Sequence, residues 1–124
     1  MMLLPNCGAA VTVALGCLGL IFPGTVSRIL GLQPTGPLGI AEIRATYGGF
    51  FMCLGVGCLV AQSVPVFTAA GAAWCAAAIT RIASSFVDRS RSWHAVVGIC
   101  VEAGVGLMLL EAWLSSLDQV ATSP

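Results

Sequence analysis

Apolar residues fill four long stretches of this chain, and short segments rich in polar residues, proline or glycine separate them. The stretches cover about residues 3–22, 38–64, 65–87 and 93–114. Each is near or above the roughly 20 residues that a helix needs to cross the hydrocarbon core of a bilayer. The pattern predicts an all-α, polytopic membrane protein. Its four transmembrane helices should form an antiparallel bundle, since short connections make consecutive helices antiparallel neighbours.

The connection between the first two stretches is the longest and has a pattern of its own. Within residues 24–39, Val26, Ile29 and Leu30 recur at helical spacing beside the polar Arg28. This amphipathic spacing predicts a short helix lying in the membrane interface. After the fourth stretch, residues 115–124 are expected to form a polar tail.

Composition supports one transmembrane domain over residues 1–124. The chain is 58% hydrophobic and 8% charged, outside the usual range of soluble domains. Five arginines balance five acidic residues and there is no lysine, so the net charge is zero. A neutral chain without a basic patch is not expected to bind nucleic acid, and the lipid bilayer is its expected partner.

The arginines outside the four stretches lie on one side of the predicted bundle. Arg28 is in the first connection, and Arg89 and Arg91 are in the third. Those two connections share a side, and the opposite side, with both termini, has no arginine or lysine. By the positive-inside rule, connections 1 and 3 are cytoplasmic and both termini lie outside.

Five charged residues lie inside the predicted helices, of which Glu111 is expected to be solvated near the outer surface. Arg44, Arg81 and Glu102 lie about 7, 10 and 13 Å from the cytoplasmic ends of their helices, at 1.5 Å per residue. With Glu42 they share one half of the bilayer. Because a charge at mid-membrane costs about 2.5 to 3.5 kcal/mol, these residues need partners. We expect Arg81 to pair with Glu102, whereas Glu42 and Arg44 point about 200° apart on their helix and should not pair with each other.

Helical phase adds neighbouring polar residues to this group. Tyr47 shares a face with Arg44, and two serines share a face with Arg81. The candidate ligand-binding cluster is Glu42, Arg44, Tyr47, Arg81, Ser84, Ser85 and Glu102. Two interpretations stay open: the charges only fix helix register while Arg44 reaches the headgroups, or they form a buried site for a ligand, a lipid headgroup or a proton.

Small residues at four-residue spacing predict where helices touch. Glu102 lies between two glycines at this spacing, which should turn it towards other helices. The predicted helix-packing glycines are Gly48, Gly49, Gly57, Gly98 and Gly106.

Motifs of enzymes and metal sites are missing from the sequence. The six cysteines lie inside apolar runs without a C-x-x-C pair, and there is no phosphate-binding loop, G-x-S-x-G or H-E-x-x-H. We therefore expect no metal, no cofactor and no catalytic residue, which argues against an enzyme.

The sequence E-I-R-A-T-Y-G-G at residues 42–49, Arg81 followed by Asp88, and Glu102 resemble a family of small bacterial four-span membrane proteins known as a domain of unknown function. The family pattern has a small residue before the arginine and glycine after the aspartate, where this chain has Thr80 and Arg89. The resemblance implies a bacterial inner (plasma) membrane location and no particular activity. The layout is more loosely similar to DoxX-type proteins, some of which are associated with quinone-linked redox systems.

Three functional hypotheses follow. The leading one is a non-enzymatic accessory or scaffold subunit, in a homo-oligomer or with other membrane proteins, or a binder of a small amphiphile or lipid headgroup at the Arg/Glu cluster. The second is a small proton-coupled transporter that uses Glu102. The third is a quinone- or thiol-linked redox subunit that uses the cysteines.

Overall fold

A computed structural model describes residues 2–89 and 91–122 of the chain. Within these residues the protein is all helical, without a strand. The five helices are α1 (Leu3–Ile21), α2 (Pro23–Ile29), α3 (Gly36–Ala61), α4 (Val64–Val87) and α5 (Trp93–Thr122).

Four of the helices are long and apolar enough to cross a membrane: α1, α3, α4 and α5. Large apolar side chains such as Ile21, Val60 and Val87 are exposed on their outer surfaces, as expected for residues that face lipid. The structure confirms the predicted fold class, and the protein is a multi-pass membrane protein.

The last helix continues beyond the predicted fourth stretch. α5 extends through residues 115–122, which the sequence analysis assigned to a polar tail. No glycine or proline lies between Gly106 and this end of the helix, so nothing interrupts its backbone hydrogen bonds. Residues 123 and 124 of the predicted tail lie outside the described residues.

The bundle consists of two closely packed helix pairs. α1 packs along α3, α4 packs along α5, and α1 also contacts α5, whereas α3 and α4 have few contacts with each other. The buried core lies at the end of the bundle where α1 and α4 begin; its residues include Ala9, Cys58, Phe67 and Leu109. At the opposite end, α3 and α4 do not close against each other.

Glycines bring α1 and α3 into backbone contact. A Cβ atom on Gly16 would lie 2.5 Å from the Met52 nitrogen, and one on Gly55 would lie 2.8 Å from the Ala9 carbonyl oxygen. Gly48 faces Leu20 just as closely, which confirms its predicted packing role. Small residues allow such contacts between helices in a bilayer.

Two of the predicted packing glycines are not at a helix contact. Gly49 and Gly57 are exposed, and nothing lies within 4 Å of a Cβ built on Gly57. α3 faces α1 through Gly48 and Gly55, so the face that carries Gly49 and Gly57 points outwards. Within the described residues of this bundle, neither glycine contacts another helix.

In the second pair, Gly106 of α5 lies directly against α4. A Cβ on Gly106 would lie 2.5 Å from the Cys75 sulfur and 3.0 Å from its backbone nitrogen. Gly71, which the sequence analysis did not single out, is the reciprocal position, since a Cβ on it would lie 2.9 Å from the Gly106 carbonyl oxygen. The predicted packing role of Gly106 is confirmed.

The part of α3 with the conspicuous charged stretch is not a regular α-helix. Residues Arg44–Phe50 form a π-helical segment, in which hydrogen bonds close wider turns than in an α-helix. Each residue of such a segment rotates by less than 100°, so the faces derived from regular helical phase shift along it.

The first connection contains the predicted short helix, α2, with Pro23 in its first turn. The chain leaves it through Gly31, whose φ of +69° suits glycine. His94 at the start of α5 holds the end of α2, because its Nδ1 lies 2.9 Å from the Ile29 carbonyl oxygen. A carbonyl oxygen only accepts, so Nδ1 is the donor.

Candidate functional site

An ion pair between Arg81 and Glu102 joins α4 to α5. Arg81 donates from Nε to Oε2 of Glu102 at 2.9 Å and from Nη2 to Oε1 at 2.5 Å. Two parallel bonds of this kind fix the orientation of both groups. The pairing predicted from the sequence is confirmed, and among the described residues it is the single ion pair.

A glycine on α5 makes room for the guanidinium group. A Cβ on Gly98 would lie 2.8 Å from Nε and 3.0 Å from Cζ of Arg81. Gly98 precedes Glu102 by four residues, so the two occupy the same face of α5. The predicted packing role of Gly98 is therefore a contact with an arginine side chain, which it lets lie against the backbone of α5.

The ion pair lines an open cleft of about 770 Å³ between α3 and α4. Tyr47 and Phe51 contribute from α3, and Thr80 and Ser84 contribute from α4. Tyr47 also lies close enough to Arg81 to interact with its guanidinium. The cleft thus places a phenol, hydroxyl groups and a charge pair between helices that elsewhere present mostly apolar side chains.

A smaller apolar cavity of about 120 Å³ lies next to this cleft. Leu15 and Leu18 of α1, Val26 of α2 and Trp74 of α4 line it. The cavity and the cleft share several wall residues, namely Leu30, Tyr47, Phe51, His94 and Glu102. Glu102 therefore stands at the boundary between a polar and an apolar space.

An aromatic group lies between these two spaces. The rings of Phe51 and Trp74 are 4.7 Å apart, and Tyr47 meets Phe51 edge to face at 5.7 Å. Trp74 is buried, and its Nε1 has no hydrogen-bond partner among the described residues. Buried indole N–H groups usually have an acceptor, so this donor stands out.

The structure brings together four of the seven residues of the predicted cluster: Tyr47, Arg81, Ser84 and Glu102. Ser85 does not line the cleft. Its hydroxyl donates to the Arg81 carbonyl oxygen at 2.9 Å, and its side chain lines a separate groove with Phe86 and Trp93.

Glu42 and Arg44 do not join the cluster. Both are exposed, and neither forms an ion pair with another described residue. As predicted, they do not pair with each other. The expected grouping of four charges is not found: α3 packs on α1 and has few contacts with α4, and neither Glu42 nor Arg44 lines the cleft that holds Arg81 and Glu102.

Several residues of the site were not predicted as part of it. Ala77 and Thr80 share the cleft with Arg81 and Ser84, and the spacing 77, 80, 81, 84 marks one face of a helix. That signal is present in the sequence. Phe51, Trp74 and His94 carry no comparable signal, because their roles depend on how α2 and α3 meet α5.

The site offers binding groups, and its chemistry is that of hydrogen bonds and charge. Within residues 2–89 and 91–122 no group of three or more His, Cys, Asp or Glu side chains could hold a metal ion. The six cysteines are unbridged. The arrangement suits a molecule with one polar end and one apolar end.

Comparison with known proteins places the chain in a family. A search among curated proteins and a search among solved structures found no match. A family model, described as a domain of unknown function (DUF4345), matches residues 6–113. This match covers the cleft, the cavity and the ion pair. The chain belongs to the DUF4345 family.

Proposed function

We propose that the protein is a non-enzymatic membrane protein that binds a small amphiphile. The polar head lies beside Arg81 and Glu102 in the cleft between α3 and α4, and the apolar part reaches the cavity beside Trp74. The observation that carries this proposal is that Glu102 of the ion pair lines both the apolar cavity and the cleft that holds Arg81 and the hydroxyl groups.

The openness of the ion pair favours a binding role over a purely structural one. A pair that only fixes helix register needs no open space beside it. Here 28% of the Arg81 side chain is exposed, against 11% for Glu102. The bundle leaves space beside this ion pair.

The position of the cleft fits entry from the membrane. It opens between two helices that could span a bilayer, so an amphiphile could enter sideways with its apolar part still in lipid. Thr80 and Ser84 extend the polar wall towards the end of α4 that carries the arginine-containing connection. A head group could therefore stay hydrated while the chain is buried.

The side of the membrane follows from the arginines. Arg28 shares a surface groove with Trp93 and His94, so the first and third connections lie at one end of the bundle. We assign that end to the cytoplasm by the positive-inside rule, and the protein to a bacterial inner membrane. The cleft then belongs to the cytoplasmic half of the bilayer.

Photocrosslinking tests the proposed binding site. The protein is reconstituted in phosphatidylcholine vesicles with a single-chain fatty alcohol that carries a diazirine in mid-chain, and the adducts are located by mass spectrometry. We expect adducts concentrated on Tyr47, Phe51 and Trp74.

A matched pair of variants provides the control. Ala77 lines the cleft, whereas the neighbouring Ala76 is exposed and lines neither the cleft nor the cavity. Ala77→Phe should remove most of these adducts and Ala76→Phe should keep them. Adducts spread evenly over the lipid-facing helix surfaces, or equal in the two variants, would refute the proposal.

A further inference from the structure

We infer that the amphiphile has an uncharged head group whose oxygen atoms accept hydrogen bonds, as in an ester or a ketone. This inference rests on the proposed function and adds the chemical class of the ligand. It follows from the charge and the hydrogen-bonding groups of the walls.

The charges of the site already balance. Of the Arg, Lys, Asp and Glu residues in the described chain, Arg81 and Glu102 alone line the cleft and the cavity. They neutralise each other through two hydrogen bonds. A charged head group would therefore add an uncompensated charge beside apolar walls, which is costly. The other titratable side chains in the walls are Tyr47 and His94, and His94 already donates to the Ile29 carbonyl oxygen.

The arginine of the ion pair presents hydrogen-bond donors to the cleft. Nε and Nη2 of Arg81 bond to Glu102, which leaves Nη1 outside the bidentate pair. The Arg81 side chain is also more exposed than the Glu102 side chain, at 28% against 11%. Both carboxylate oxygens of Glu102 already accept a bond. A head group that meets this surface should accept hydrogen bonds.

The apolar cavity also contains a hydrogen-bond donor without an acceptor among the described residues. Trp74 lines the cavity, and its Nε1 lacks an acceptor in the part of the chain that the structure describes. A cavity of about 120 Å³ is slightly smaller than the ~150 Å³ that holds one benzene molecule. It can take one short apolar segment.

Quenching of Trp74 fluorescence can rank head groups. Trp93 and Trp113 are 75% and 45% exposed and would report on bulk lipid, so both are changed to Phe, leaving Trp74 alone. Three probes share one brominated alkyl chain: a methyl ester, a sulfonate and a trimethylammonium. The sulfonate and the ammonium keep their charge at any working pH. Each is titrated into proteoliposomes and compared by mole fraction in the bilayer.

We expect saturable quenching by the ester at a mole fraction at least about tenfold lower than by either charged probe, equivalent to ~1.4 kcal/mol. A charged probe that matches or outcompetes the ester would overturn the inference on the head group and leave the proposed function standing. If no probe quenches saturably, the proposed function itself fails.

A charge variant sharpens the ranking. Glu102→Gln leaves the Arg81 charge uncompensated, so the affinity for the sulfonate relative to the affinity for the ester should rise about tenfold. Glu42→Gln removes the same charge from an exposed position of α3 and should leave the ranking as it is. An unchanged ranking in Glu102→Gln would contradict the charge argument. Should that variant not fold, the ranking in the parent protein still decides.

Discussion

The chain carries two sets of opposite charges within its helices, and they have different fates. Glu42 and Arg44 are two residues apart on α3, yet both are exposed and do not pair. Arg81 and Glu102 are 21 residues apart on different helices, and they form a bidentate ion pair. Proximity along the sequence therefore says little about pairing inside this bundle.

The environment of each set explains the difference. α4 and α5 pack closely, and Gly98 opens the space that the guanidinium fills. α3 packs on α1 through its glycines and leaves its charged side chains outside that contact. A charge in a membrane protein is retained where a neighbouring helix or the headgroup region can satisfy it.

Breaking the buried pair should have the largest effect. Glu102→Leu leaves Arg81 without its counter-charge, and we expect a loss of about 3 kcal/mol in the free energy of unfolding. The double variant Arg81→Leu/Glu102→Leu should regain most of this loss, because it leaves no unpaired charge. Unfolding by dodecyl sulfate in mixed micelles measures both. A double variant no more stable than Glu102→Leu would show that the pair does not act as a unit.

Filling the space beside Arg81 should have an intermediate effect. Gly98→Ala pushes the guanidinium off α5, at a cost of about 1 to 3 kcal/mol, as for overpacked sites elsewhere. Gly104 lies on the same helix with nothing within 4 Å of a Cβ, so Gly104→Ala is the matched control and should not destabilise the protein. Equal effects in the same unfolding assay would mean that Gly98 does not position Arg81.

Removing the exposed charges should have the smallest effect. Glu42→Gln and Arg44→Gln should each change the free energy of unfolding by less than about 0.5 kcal/mol, as is usual for exposed positions. The comparison with Glu102→Leu then separates the two sets of charges directly. A loss of stability in either variant as large as that in Glu102→Leu would show that the residue forms a stabilising interaction despite its exposure.

The sequence was enough to predict the helices and the central ion pair. Hydrophobic length defined the four long helices, and antiparallel topology placed Arg81 and Glu102 at similar depth. Glycine at four-residue spacing identified the face of α5 that carries Glu102. These properties depend on regular helix geometry, which α4 and α5 follow.

Features of α3 could not be predicted in the same way. The π-helical segment Arg44–Phe50 changes the helical phase, and no residue pattern in it predicts this change. Whether α3 closes against α4 depends on how well it packs on α1, which is a tertiary property. For that reason Gly49 and Gly57 were taken as packing residues, and Phe51 and Trp74 were missed as walls of a site.

The central claim is that the space beside Arg81 and Glu102 is a binding site. Its most direct test is the affinity of the brominated methyl ester for the protein with Trp74 as its single tryptophan, compared between Ala77→Phe and Ala76→Phe. We predict that Ala76→Phe keeps the saturable quenching of the parent and that Ala77→Phe weakens it at least about tenfold, or ~1.4 kcal/mol. Equal saturation curves in the two variants would contradict the claim and leave the ion pair with a structural role.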